Sequence, residues 1–421
     1  MQKLTKLLFI PLLLSIFACK QKTVSLNVLV VWGGDELESF KIMIRPFEES
    51  TGIKINIEAT RDINAVLFTR LEAGNPPDLA NLPNPGVLKE FAYQRKIVPI
   101  DEFIDMKKLR EDYGESWIEL GSYENKLYGI FIKASLKSLI WYSPKNLSQF
   151  TSELPSSWDE LMELTERIAR TGKRPWSIGL ESGAASGWPG TDWIEDILLR
   201  TGGTEIYDQW VEHKIPWTHP AIKHAWELFG KTVRNEKYLY GGIKGTCATN
   251  FGDAVHPLFT RPPGAYLHLQ ASFIQGFIYS QFPELRPDLD FSFFPFPVIE
   301  KDKENPMIVA ADLFVAFRDT KQVRAFLNYL ATADAQKIWV KRGGAIAPNR
   351  KTDIDDYPDE LGKRTATVFK QTSVFRFDGS DLMPASLNNA FCKGVLDYIS
   401  GKDLDEILSY IEKVANESYA R

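Results

Sequence analysis

Val24-Ser25-Leu26-Asn27-Val28-Leu29-Val30-Val31-Trp32-Gly33-Gly34-Asp35 opens the folded part of this chain, and the way the following residues answer it decides the fold. Val24 to Val31 reads as a buried strand that ends at Trp32-Gly33-Gly34-Asp35. Leu37, Phe40, Ile44 and Phe47 then recur at helical spacing, and Thr51-Gly52 stops that helix. Pro46 is expected to kink or shorten it, because proline lacks the N–H that a helix interior needs. Ile53, Ile55 and Ile57 alternate as a second strand. Asp62 to Ala73 reads as a second helix stopped by Gly74, Pro77-Asp78-Leu79-Ala80 starts a third strand, and Gly86 to Arg95 is a third helix. Strand alternating with helix in this way is the pattern of a parallel α/β sheet, whose ligands sit beyond the carboxyl ends of the strands. Those ends carry Trp32, Gly34 and Asp35, then Arg61, then Asn84.

Toward the amino terminus, Met1 to Ala18 stands apart as a signal peptide. Lys3 and Lys6 precede an apolar run, Leu7 to Phe17, that is too short to span a bilayer. Ile16-Phe17-Ala18-Cys19 resembles a bacterial lipobox, which implies cleavage before Cys19 and lipidation of its sulfur, with residues 19–23 as the tether. Phe17 is larger than the residue usual at that position, so a plainly secreted chain stays open. No later apolar run is long enough for a transmembrane helix. The expectation is an exported protein in the periplasm or on the cell surface, touching the membrane only through its lipid anchor.

The formal charge is -5, and it becomes -7 when the two positive charges of Lys3 and Lys6 leave with the signal. A mildly acidic surface has no basic field to attract nucleic acid. Removing the signal leaves about 400 residues, which implies more than one core, most simply two domains of ~200 residues. All eleven tryptophans lie in the mature part, a mild pointer to carbohydrate contact that a large core also explains. Cys247 and Cys392 are the only cysteines after Cys19, and one possible pair is no disulfide framework.

Further along, Gly187-Trp188-Pro189-Gly190-Thr191-Asp192-Trp193 runs into Ile194-Glu195-Asp196-Ile197-Leu198-Leu199-Arg200. Thr191 or Asp192 can cap this helix, since a short side-chain oxygen satisfies free N–H groups of the first turn. Two indoles and a carboxylate on a Gly/Pro-hinged loop suit a polyhydroxylated ring, apolar faces covering C–H groups and polar groups taking hydroxyls. The competing reading is a loop whose tryptophans plug the core. Trp176 to Leu180 is a candidate strand feeding Glu181-Ser182-Gly183, so Glu181, Trp188, Asp192 and Trp193 are expected to form the wall facing Trp32. Asp312 lies in the otherwise apolar strand Ile308 to Phe317 and must find a partner or face the cleft. A long helix is expected from about Thr320. Arg376 and Asp381 can make bidentate bonds to vicinal hydroxyls or pair with each other.

Signatures of catalysis are missing. His213, His219, His224, His256 and His268 form no zinc motif, and no P-loop or nucleophile elbow occurs. Neither a metal nor a cofactor is expected. Asp192 with Glu195 or Asp196, and Asp378 with Asp381, are candidate glycosidase pairs on spacing alone. Acidic residues early in a helix also stabilise its dipole, which accounts for Glu195 and Asp196 without chemistry.

Trp32-Gly33-Gly34-Asp35, then Phe47-Glu48-Glu49-Ser50-Thr51-Gly52-Ile53-Lys54-Ile55, then Leu71-Glu72-Ala73-Gly74-Asn75-Pro76-Pro77-Asp78 resemble the extracellular solute-binding proteins of ABC sugar importers, the maltose-binding-protein-like receptors. Asn125–Ile130 with Leu139–Tyr142, Ala331–Lys337 and Gly343–Pro348 continue the resemblance in order. Gly187–Trp193, Gln270–Ile274 and Asp381–Pro384 look most like the α-glucoside branch. The resemblance implies an α/β, two-lobed periplasmic-binding-protein fold with a ligand cleft between lobes. Lobe 1 would comprise 24–135 and 306–345, and lobe 2 would comprise 136–305 and 346–421. It also implies Phe251 as a ring platform, a neutral sugar ligand, ABC permease subunits as partners, a monomer, and no catalysis. Relatives often carry a stacking tryptophan where this chain has Cys392, and a thiol offers no such platform. A secreted carbohydrate-active enzyme and a same-fold receptor for a non-sugar solute, such as a polyol or polyamine, are the alternatives.

Overall fold

A computed structural model describes residues 24–300, 305–371 and 374–420; the expected signal peptide (1–18) and the tether with Cys19 (19–23) lie outside them. Ser25–Val30 (β1), Lys54–Ala59 (β2) and Leu79–Leu82 (β3) form the parallel unit read from the sequence, in the order β2-β1-β3. The helix Gly34–Thr51 connects β1 to β2 and Ile63–Glu72 connects β2 to β3. The first helix runs on through Pro46 and ends where Gly52, at φ 70°, returns its N–H to the Glu48 carbonyl at 2.9 Å. Only glycine adopts that left-handed turn without strain.

A short hairpin, Ser122–Tyr123 (β4) with Lys126–Leu127 (β5), leads into Gly129–Leu136 (β6). The chain crosses at residues 137–138 into a three-stranded antiparallel sheet of Leu139–Tyr142 (β7), Leu267–Leu269 (β8) and Ser292–Pro295 (β9). It returns through Met307–Ala316 (β10). This strand runs antiparallel to β3 on one edge and to β6 on the other, with Phe375–Phe377 (β11) parallel beside it. The first sheet is therefore mixed rather than purely parallel.

Burial falls into two large apolar cores. The first gathers Val28, Trp32, Phe40, Phe314, Phe326 and Trp339 around the first sheet. The second gathers Trp176, Trp193, Trp210, Trp217, Trp226 and Phe391 around the helices Trp188–Val211, Pro220–Val233, Ala385–Ile399 and Leu404–Tyr419. Val255, Leu258, Ile274 and Phe291 pack with the first core although they follow the crossing, as do Leu361 and Phe377. No helix among the described residues is long and apolar enough to cross a membrane.

Three local expectations are corrected. Trp176 to Leu180 forms no strand; Trp176 makes only isolated bridges to Leu239 and Leu267. The helix expected from Thr320 is two, Lys321–Leu330 and Ala333–Val340, because Thr332 caps a new start by accepting the Ala335 N–H at 3.2 Å. The helix after Gly187 begins at Trp188, so Thr191 and Asp192 lie inside it and cap nothing. Gly187 at φ 110° turns the chain, and Pro189 in the first turn needs no N–H partner. Cys247 and Cys392 are both free.

Candidate ligand-binding cleft

Between the carboxyl end of β1 and the start of the Trp188–Val211 helix lies a cleft of about 170 Å³. A cleft lined by both aromatic and polar side chains is suited to a small organic ligand. Its floor comes from β6 and β10. Lys133, Ser135 and Lys137 line it at every second residue, all three buried, while Ala134 and Leu136 between them pack in the first core. Ala310, Ala311 and Asp312 of β10 lie alongside.

Two lysines organise the charge. At one end, Lys133 Nζ donates to Glu36 Oε1 at 2.6 Å and to Asp312 Oδ2 at 3.2 Å. Arg61 Nη2 donates to the other Glu36 oxygen at 3.1 Å, and its guanidinium lies 4.8 Å from the centre of the Phe251 ring. Burial alone would raise the Glu36 carboxyl, and Lys133 and Arg61 outweigh it, holding the group below the usual carboxylate range. At the other end, Lys137 Nζ lies 3.0 Å from both Asp192 oxygens, 2.9 Å from Asp378 Oδ2 and 4.6 Å from the centre of the Trp188 ring. Burial opposes the charge on Lys137, but three carboxylates, Asp192, Asp378 and Asp381, hold its pKa well above the ordinary lysine value. Asp381 is pushed well up by burial and by Asp378. The lysine thus stays charged among these acids.

The expected site residues divide sharply. Trp32, Arg61, Asn84, Trp188, Asp192, Phe251, Asp312 and Asp381 all line the cleft. Trp32 is only 1% exposed, wedged against Phe40 and Trp339, and its indole N–H donates to Asp312 Oδ2 at 3.0 Å. Its role there is to orient a carboxylate. Asn84 donates to Asp381 Oδ1, where its helix packs against residues 379–383. Trp188 meets Phe251 and Phe273 at centroid distances of 5.2 and 6.1 Å, so the aromatic surface is gathered at one wall.

Five expectations are corrected. Trp193 is 1% exposed and packs on Trp176, Phe229 and Phe296 in the second core, since it lies on the opposite side of its helix from the cleft. Arg376 makes a bidentate pair with Asp208, at 2.6 and 2.8 Å, and does not line the cleft. Gly34 and Asp35 form the first turn of their helix and do not line it; Glu36, the next residue, does. Glu181 turns inward on its own loop, accepting from the Gly183 N–H at 2.8 Å and from Asn250 Nδ2 at 2.7 Å.

The acids after Asp192 are not helix-dipole residues on a solvated face. Glu195, Asp196 and Arg200 are buried. Glu195 accepts the N–H groups of Gly379 and Ser380 at 2.6 and 3.2 Å and the Tyr207 hydroxyl at 3.0 Å. Asp196 takes Ser138 Oγ and Arg200 Nη1, and Arg200 donates onward to the Pro306 carbonyl at 2.8 Å and Asn305 Oδ1 at 2.9 Å. One helix therefore holds the chain where it crosses near 138, near 306 and near 379. The sequence reading missed Glu36, Lys133, Ser135 and Lys137. The alternation Lys133-Ala134-Ser135-Leu136-Lys137 was the available signal.

Residues 33–337 match the family of bacterial extracellular solute-binding proteins. The chain belongs to that family. This solute-binding protein is 38% identical over 388 residues to an osmoprotective compounds-binding protein of Synechocystis, which covers 92% of the chain and 91% of the relative. It is 36% identical over 401 residues to an alpha-glucosides-binding periplasmic protein of Rhizobium meliloti, with 92% and 86% covered. Among solved structures, a chitin oligosaccharide binding protein superposes with a TM-score of 0.81 at 16% identity, over 95% of this chain and all of that one. The fold is accordingly the two-lobed one of periplasmic binding proteins, and the protein is of an exported class.

Proposed function

We propose that this solute-binding protein is the receptor of an ABC importer, capturing a small neutral α-glucoside between two lobes and delivering it to the permease subunits. The observation that carries the reading is the cleft itself, in which one aromatic wall meets a floor of paired charges. Trp188, with Phe251 and Phe273 beside it, can cover the C–H face of one sugar ring. Asn84, Asp192, Asp312 and Asp381 offer polar groups for its hydroxyls. The relative named for alpha-glucosides supports a sugar, and the one named for osmoprotective compounds is compatible with it.

Charge argues for neutrality of the ligand. Carboxylates do converge at Asp192, Asp378 and Asp381, as a polyamine site would require, but they converge on the protein's own Lys137 ammonium. An anion would meet these acids and be repelled. In this reading no bond is made or broken. The raised pKa of Asp381 is compatible with a proton donor, yet hydrolysis also needs a second free carboxylate. Asp192 and Asp378 are both tied to Lys137, and Glu195 is consumed by backbone N–H groups. Ligand then acts by its differential affinity for the closed arrangement, which the permease would recognise. A lipid on Cys19 would hold the monomeric receptor at the membrane.

Isothermal calorimetry and thermal shift with maltose, sucrose, trehalose, glucose, glycerol and spermidine test the reading. Binding of at least one glucoside is expected, with no change in the sugar on prolonged incubation with excess protein. Stabilisation by none of the sugars, or appearance of hydrolysis products, would overturn it. Cys19→Ser should release the protein from the membrane fraction.

A further inference from the structure

Lys137 is the most constrained cation in the cleft. It sits directly after β6, where its backbone N–H donates to the Ile308 carbonyl at 2.8 Å. The adjacent Ser138 hydroxyl donates to Asp196, and the Ile308 N–H donates to Ser138 Oγ at 3.0 Å. Backbone and side chain are thus both held, one by the crossing strands and one by Asp192 and Asp378. An ammonium has three N–H donors. The two Asp192 oxygens, both at 3.0 Å, lie on one side of the ammonium and share one N–H, Asp378 Oδ2 at 2.9 Å takes a second, and among the described residues no other protein oxygen takes the third. Asp381 shows the complementary vacancy. Its Oδ1 accepts from Asn84, its backbone N–H caps onto Asp378 Oδ1 at 3.1 Å, and Oδ2 carries no protein donor among the described residues. Both residues line the same cleft as Trp188.

A preorganised donor beside a free carboxylate oxygen matches one chemical group above others. A hydroxyl is a donor and an acceptor on one atom. We propose that Lys137 and Asp381 are specificity-determining residues that together read a single hydroxyl of the sugar, Lys137 donating to its oxygen while its hydrogen is donated to Asp381. The assignment rests on the α-glucoside reading above. It distinguishes a lysine that selects ligand from one that merely neutralises buried acids. A neutralising lysine affects every ligand alike, whereas a selecting one matters only to ligands that carry the hydroxyl.

Calorimetric titration of methyl α-D-glucopyranoside and its 2-, 3-, 4- and 6-deoxy derivatives decides between them. In the wild type, one deoxy derivative is expected to bind about 10- to 100-fold more weakly than the parent, the range for losing a hydrogen bond to a charged group. In Lys137→Met the parent should weaken by a similar factor and that deoxy penalty should shrink to about twofold, because the group that read the hydroxyl is gone. Lys137→Met leaves three acids without their cation and can fail to fold. Asp381→Asn keeps an oxygen for Asn84 and leaves the ion pairs of Lys137 intact, and it should shrink the penalty at the same sugar position. An unchanged deoxy profile in Asp381→Asn, or in a folded Lys137→Met, overturns the assignment alone. A wild type that binds none of the glucosides overturns the α-glucoside reading and the assignment with it.

Discussion

Trp188 and Trp193 stand five positions apart in one short stretch, and their fates separate completely. Trp188 lies over Lys137 at the cleft wall, while Trp193 is in the second core. Trp188→Ala should weaken glucoside binding by about 1–3 kcal/mol, measured by calorimetry, with little change in the urea midpoint. Trp193→Ala should instead lower stability by about 3–5 kcal/mol in urea unfolding, the cost of an unfilled cavity where a large ring was. The two side chains were indistinguishable as residue types in a Gly/Pro-rich stretch. Which one meets solvent depends on where the helix begins, and Gly187 starts it at Trp188, earlier than the polar pair Thr191-Asp192 suggests. Cys392 follows the same logic. It packs under Gly187, whose added Cβ would come within 2.3 Å of the Cys392 carbonyl oxygen, so this position supports the wall from behind.

The helix Trp188–Val211 is an element with two apolar neighbours and a polar spine. Asp192 turns to the cleft, Glu195 to residues 379–380, and Asp196 with Arg200 to the crossings at 138 and 306. Replacing Arg200 with methionine leaves Asp196 buried beside Ser138 without its cation, and a cost of about 3–5 kcal/mol is expected in denaturant unfolding. Asp196→Leu combined with Arg200→Met should recover part of that loss, since removing both charges removes the unpaired one. From sequence this spine looked like dipole-stabilising acid in a first turn. Asp192, Asp196 and Arg200 are four apart and Glu195 is three from the first, which places Asp192, Asp196 and Arg200 on one helix face in any context, but only the crossing strands make that face an interior one. Along β6 and the residue after it, by contrast, the period-2 alternation of Lys133, Ser135 and Lys137 was readable without partners, because a strand has only two faces.

At the scale of the whole molecule, two contacts bear on closure and on acid stability. The Ala184 N–H donates to Asp62 Oδ1 at 2.8 Å across the cleft mouth, and Asp62 is exposed. Asp62→Ala should favour the open form of the unliganded protein by about 1 kcal/mol, seen as a larger radius of gyration in X-ray scattering that collapses when a bound glucoside is added. His268 is buried, with Nδ1 2.8 Å from the Ser177 carbonyl oxygen, and burial lowers its pKa to about 4. The folded state therefore favours neutral imidazole. Its contribution is complete above the ordinary histidine value and is lost as pH falls from there toward 4, by about 3 kcal/mol in all. His268→Asn, which keeps a donor for Ser177, should flatten the urea stability profile across that window.

The alternation of strands and helices from Val24 to Arg95, the side of that sheet on which the cleft opens and the family were legible in the sequence alone. Each rests on local periodicity or on short ordered motifs, which need no knowledge of distant partners. Trp32, Arg61, Asn84 and Asp312 were legible as cleft residues for the same reason, standing at strand ends or breaking an apolar run, and Asp381 through its place in a family motif. Only the tertiary structure decided that Arg376 answers Asp208, that Glu181 answers Asn250, that Trp193 is core, and that two lysines rather than free carboxylates organise the cleft. A charged side chain in sequence carries no sign of its partner. Lys137 meets Asp192 and Asp378 only because the chain crosses three times at one place, and that convergence is a property of the fold.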